Sequence, residues 1–383
     1  MGTRLIVLGL LATAGIASAS AQTTYPNVKV AGRLQGQFYY FGNEDYAATT
    51  GPQSNTYIRR ARIEARVQLN EFVSAYIMPS FEGGRAPASS SCTSTLDTLT
   101  NAITTRCTNG NGGVRLRDAW VDVRLNKPEA PTGFTVRVGQ EKRPFSRYEL
   151  TSSNNLATIE RGGGRGLLAV QSNDLFTSAG FLSHDVGASA RVEHKLDAAG
   201  RLVAVVAGVY NGRGESLNDN NNGKSIGVRG TADLWRKLSL GGAFFSHDAI
   251  VGTDSAFRNT AFGVDAQWNK VGEPGLYALA EVLSGEAAAA GKAKMLGVQA
   301  LAAYNIRMTS PTSWLYAIEP VVRVDFADPD TDADDNAATL LTGGIGFYMS
   351  SKALFRVVVE HQSFQASGNQ SLTGLRTQMQ VSF

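Results

Sequence analysis

The sequence predicts an all-β fold, a sixteen-stranded antiparallel transmembrane β-barrel with an in-folded constriction loop, on three observations. The closing stretch alternates, with Leu375, Met379, Val381 and Phe383 in one phase and Gly374, Arg376, Gln378, Gln380 and Ser382 in the other. That is the period of a strand with one oily and one wet face, and a terminal aromatic suits a strand ending at a membrane interface. Hydrophobic residues make up 43% of 383, yet beyond residue 21 no apolar run approaches the roughly 18 to 20 residues of a membrane helix. Finally, the links between alternating runs are short and long in turn, as in outer-membrane barrels and unlike sandwiches.

Met1 to Ala21 carries Arg4, an apolar core from Leu5 to Ile16 and the small-residue site Ala19-Ser20-Ala21. This is the pattern of an export signal, too short for an anchor. The expected organisation is a signal peptide over 1–21 and one barrel domain over 22–383. Loss of Arg4 from the 36 basic residues leaves 35 against 33 acidic, a net charge of +2, too mild to point to nucleic acid.

Alternating runs fall at residues 28–41, 55–69, 73–83, 113–125, 132–140, 186–196, 201–210, 224–234, 238–248, 259–269, 275–284, 294–305, 315–327, 339–349, 353–364 and 372–383. The number is even, as in single-chain bacterial barrels, and about 11 residues tilted by roughly 45° climb about 25 Å, the height of their apolar band. The second run is the clearest: Arg60, Arg62, Glu64, Arg66 and Gln68 share one face, and Ala61, Ile63, Ala65, Val67 and Leu69 the other. So many charges at alternate positions need water, so that face lines a lumen. Three runs read less cleanly: 201–210 is apolar on both faces, and Pro79 and Pro320 each remove a ladder donor from theirs. Trp235, Trp268 and Trp314 fall at the short-link ends, where an interfacial girdle belongs. Trp120 shares a phase with Asp118 and Asp122, so it faces the lumen or marks a slipped strand.

Cys92 and Cys107, the only cysteines, lie in a Ser/Thr/Asn/Gly-rich stretch of an exported chain, where a disulfide is expected. Closing about 15 residues, it is worth about 3 kcal/mol in the chain-entropy model. Two thiols with no histidine nearby make a poor metal site.

The longest link, after residue 140, is too long to be an idle connection in a compact barrel. Folded into the lumen, it places Lys142, Arg143, Arg147 and Arg161 beside Arg60, Arg62 and Arg66. At this point the chain resembles the phosphate-selective porins O and P, through Gly32-Arg33-Leu34-Gln35, Tyr57-Ile58-Arg59-Arg60-Ala61, Asp118-Ala119, Gly139-Gln140, Thr151-Ser152-Ser153, Glu160-Arg161 and Phe383, in that order. The resemblance implies a trimeric channel of the bacterial outer membrane in which Arg33, Arg59 and Arg60 line an anion path. Alternation, however, puts Arg59 on the face opposite Arg60. The near-neutral charge and the acids Glu64, Asp118, Asp122, Asp265 and Asp325 also depart from strongly phosphate-selective members.

The expected pore-lining set is therefore Arg33, Arg60, Arg62, Arg66, Lys142, Arg143, Arg147 and Arg161, passing small anions or other hydrophilic solutes, with phosphate a candidate. Guanidinium groups recruit anions and carboxylates opposite them orient dipoles, within a screening length of about 8 Å. The competing reading is that these arginines pair with Glu64, Asp118 and Asp122 to hold loop and wall together. No cofactor or metal is expected.

Other motifs read as loops. Gly223-Lys224-Ser225 lacks the leading glycine of a phosphate loop, Gly162-Gly163-Gly164-Arg165-Gly166 reads as a flexible linker before an anion cradle, and Asp328 to Asp335 lacks the glycine and distal glutamate of a calcium loop. A barrel enzyme would have to use His247 or His184, and His247-Asp248 point to opposite faces of a strand. A closed structural or adhesin barrel is the third reading.

Overall fold

The computed structural model describes residues 25–42, 53–82, 89–97, 102–110, 114–219, 221–251, 255–287, 292–310, 314–366 and 370–383; the export segment predicted at 1–21 lies outside them. The strands are β1 (Asn27–Phe41), β2 (Ser54–Gln68), β3 (Val73–Ser80), β4 (Ser89–Asp97), β5 (Ala102–Gly110), β6 (Arg115–Arg124), β7 (Thr132–Lys142), β8 (His184–Lys195), β9 (Leu202–Tyr210), β10 (Ser225–Asp233), β11 (Leu238–Val251), β12 (Ser255–Trp268), β13 (Gly275–Glu286), β14 (Lys294–Arg307), β15 (Ala317–Asp328), β16 (Ala338–Tyr348), β17 (Ala353–Phe364) and β18 (Leu372–Ser382). All but β4 and β5 form one closed antiparallel barrel in which each strand pairs with its sequence neighbours, β3 pairs with β6, and β18 returns to β1. Every predicted run is one of these sixteen strands.

The strands form because their side chains divide between two media. Along β15, Glu319, Arg323 and Asp325 are buried while Val322 is 62% exposed. Phe262, Val264, Val30 and Val359 are exposed in the same way, so the outer wall is an apolar band of the kind that faces a membrane. Pro320 takes an outward position in β15 opposite Ile345. Pro79 sits where the β3–β6 register shifts, at the irregularity a strand proline needs. Trp235, Trp268 and Trp314 are exposed at the short-turn end.

Trp120 faces inward without a slip: it is 8% exposed and stacks on Tyr76 at 5.1 Å. The two apolar faces of β9 also have a cause. Its inward Tyr210 joins an oily knot with Phe145, Phe176, Phe181 and Phe245, formed where the long loop packs on the wall. Each buried aromatic there contributes about 1.5–3 kcal/mol relative to exposure.

The expected loop between β3 and β6 contains a feature that patterning did not mark, the two-stranded ribbon β4–β5. Its Ser/Thr-rich sequence has no oily phase to detect, though Thr favours strands. Its register sets Cys92 opposite Cys107.

Candidate functional site

Residues 143–183, between β7 and β8, lie against the inner wall. Two short helices start on wall carboxylates. Ser146 caps α1 (Arg147–Leu150) and donates to Glu281 Oε1 at 2.6 Å, while the Arg147 amide donates to Oε2 at 2.6 Å. α2 (Ser172–Ser178) places the amide and hydroxyl of Ser172 on Asp325 at 2.9 and 3.0 Å.

Wall arginines bind the loop backbone between these points. Arg229 donates to Phe145 O at 2.7 Å, Arg323 to Glu160 O at 3.0 Å and Arg376 to Gly163 O at 3.0 Å. Each is balanced by a wall acid, Asp265, Asp325 and Glu360 respectively. The loop therefore lines the wall from β9 round through β18 to β1 and reaches the upper part of β2 through Glu160, and its free edge faces the rest of β2 with β3, β6 and β7.

The predicted residues divide across that gap. Arg33 is buried, paired with Glu64, and donates to Ser153 Oγ at 2.8 Å. Arg62 pairs with Glu82, which Arg117 also approaches at 3.3 Å. Burial alone would push the Glu82 carboxyl up, but Arg62 and Arg117 hold it at about 2. Lys142 and Arg161 lie 3.5 and 3.4 Å from Glu149, whose carboxyl they hold at about 2 against its own burial. Arg66 is exposed toward the short-turn mouth, its guanidinium 5.5 Å above the Tyr76 ring.

Arg143 and Arg147 do not belong with these. Arg143 is 3% exposed, bound to Asp185 at 2.7 Å, to Gly212 O at 3.0 Å and to Leu182 O at 3.1 Å. It ties the start of the loop to its end, because a fork of five donors satisfies carbonyls that a turn leaves open. Arg147 pairs with Asp265 beneath the loop.

The alternation rule failed at Arg59. A bulge in the β1–β2 register between Gln35 and Gly36 turns both Arg59 and Arg60 inward. Arg59 Nε and Arg60 Nη2 reach the two oxygens of Glu160 at 2.6 and 3.0 Å. Burial opposes the Glu160 charge, yet the two guanidiniums hold its carboxyl well below the ordinary range. Sequence reasoning also missed Arg137, which closes on Asp122 at 2.7 Å and lies 3.6 Å over Trp120. Its alternation with Val136 and Val138 was the available signal.

The glycine turn 162–166 holds a carboxylate of its own: Gly163 N donates to Asp174 Oδ2 at 2.7 Å. Burial pushes the Asp174 carboxyl up to about 6 even though that amide pulls it down.

The family model of phosphate-selective porins O and P matches residues 28–307. The chain belongs to this family. Similar solved structures are an anion-selective porin from Comamonas acidovorans (13% identity, 93% of this chain and 99% of that chain covered, TM-score 0.57), the outer membrane channel DcaP of Acinetobacter baumannii (12%, 96% and 100%, 0.59) and OmpT of Vibrio cholerae in a trimer form (10%, 93% and 99%, 0.55). At such identities the likeness is one of fold. No curated protein matches the sequence. Family and architecture together make this a channel of the bacterial outer membrane.

Two histidines line one side of the porin interior. His184 lies 3.3 Å from Asp118, and His247 Nδ1 lies 3.1 Å from Ser225 Oγ beside a cavity of about 370 Å³. Ser225 is fully buried, and Asp248 turns to Arg258 at 3.0 Å instead of to His247. A serine with no exposed oxygen has no route to a substrate.

Proposed function

We propose that this porin passes small hydrophilic solutes down their gradients with a modest preference for anions, phosphate among them. The carrying observation is the set of cations that two strands and the loop edge present to the gap, with Arg59, Arg62 and Arg66 from β2, Lys142 at the end of β7 and Arg161 from the loop. The preference is modest because Glu82, Glu149 and Glu160 answer most of that charge within ion-pair distance. Paired charges cancel beyond about a screening length. The anion selectivity named for the Comamonas porin agrees with this reading, and the trimer form of OmpT supports a homotrimer here. A disulfide between Cys92 and Cys107 and cleavage after Ala21 complete the proposal.

The test is the zero-current potential of the purified protein in a planar bilayer under a KCl gradient. An anion-leaning potential, with chloride current reduced by added phosphate, is expected. A cation-leaning potential rejects the proposal.

A further inference from the structure

We infer that the charge preference of the passage is set by two guanidiniums that no carboxylate among the described residues neutralises, Arg165 and Arg66, standing on either side of the ion-paired belt. This rests on the anion-favouring reading above and says where the preference resides.

Both residues are exposed, and among the described residues neither has an acid within ion-pair distance. Each is held by an aromatic ring instead: Arg165 lies 4.5 Å over Tyr57, and Arg66 lies 5.5 Å over Tyr76 and 5.7 Å over Trp120. Stacking fixes the guanidinium plane while leaving its charge and its donor edges free for a passing anion. Tyr57 and Arg66 lie near opposite ends of β2, so the two cations are about 20 Å apart along the bore at roughly 3.3 Å per residue and 45° tilt. Between them sit the pairs of Arg59 and Arg60 with Glu160, and of Arg62 with Glu82. The register adds Lys29, also exposed, directly opposite Arg66. Two like charges facing each other cannot neutralise one another.

An ion pair offers a passing solute only a dipole, whereas an unpaired cation offers a net charge. In water a unit charge about 7 Å from an ion is worth about RT, so each unpaired cation enriches the anion about threefold and depletes the cation about threefold, changing the anion-to-cation ratio by about sevenfold.

The experiment measures the chloride-to-potassium permeability ratio of the full-length protein in planar bilayers under a KCl gradient. R66Q and R165Q are each expected to lower the ratio about sevenfold and the double variant about fiftyfold, while R66K retains it, with single-channel steps confirming that each variant is assembled. R62Q/E82Q removes an ion pair at constant net charge and is the contrast. A fall in that variant as large as in R66Q, or an unchanged ratio in R66Q/R165Q, overturns the inference. A cation-leaning wild type overturns the anion reading itself, whereas an anion-leaning wild type indifferent to R66Q and R165Q overturns this inference alone.

Discussion

Gly32 and Phe383 close the barrel against each other: each amide donates to the other's carbonyl at 3.1 Å, and the Phe383 ring lies where a side chain at 32 would begin. A Cβ on Gly32 would come within 2.3 Å of the ring, so Gly32→Ala must displace it. The ring is 62% exposed and meets Gly32 through its far end, so it can swing aside and the expected cost is at most about 1 kcal/mol, seen as a slightly lower melting temperature in detergent. In a Phe383→Ala background the cost should vanish, because the clash needs both partners. Additive losses would show that the ring does not matter.

Glu160 is shared by Arg59 and Arg60. Replacing it with Gln leaves two guanidiniums without their acid, a loss of about 3–5 kcal/mol by analogy with broken buried pairs. The same variant should become more anion-selective, by about sevenfold in the anion-to-cation ratio for one added net charge. Melting and reversal potential read the two effects separately.

Glu82 and Glu149 are held at about 2, below their ordinary 4.5. Their folded pKa values are depressed, so their contribution is fully present above pH 4.5 and is lost as pH falls from 4.5 toward 2. Thermal melts at stepped pH should be flat in this respect between pH 7 and 5 and decline below 4.5. A decline already complete at pH 5 would contradict the assignment.

Asp174 has the opposite sign. Its carboxyl is raised to about 6, so the folded chain favours the proton, and ionisation above pH 6 costs stability. Asp174→Asn keeps an acceptor for the Gly163 amide without the charge. The variant should melt higher than the parent at pH 7.5, and the difference should shrink below pH 5.

The ribbon β4–β5 pairs Cys92 with Cys107 in register. Mass analysis of the unreduced, alkylated protein should find no free thiol. Reduction should sharply increase protease cleavage within 89–110 and leave barrel melting nearly unchanged, since the ribbon is a sheet of its own. Alkylation of both cysteines before reduction would refute the bond.

The barrel was legible because lipid and water impose one rule on every strand, and β15 obeys it from Ala317 to Asp328. What departed from the rule could not be read. The bulge beside Gln35 inverts the phase at Arg59, and no local residue pattern announces it. Arg143 and Arg60 have the composition of pore residues, but whether an arginine meets water or a carbonyl depends on contacts 40 to 100 residues away in sequence. Ribbon β4–β5 has neither an oily phase nor a charge phase. Even so, the second run already contained Arg62 and Arg66, which keep the positions that alternation assigned them.

Because the loop rests on the arc from β9 round to β1, a travelling solute brushes mainly the product of one short genetic interval, codons 54 to 165. Drift in the remaining arc alters how firmly the aperture is mounted, while inherited change in transport preference concentrates in that interval. A library confined to it would sample nearly all the permeation behaviour this scaffold can offer.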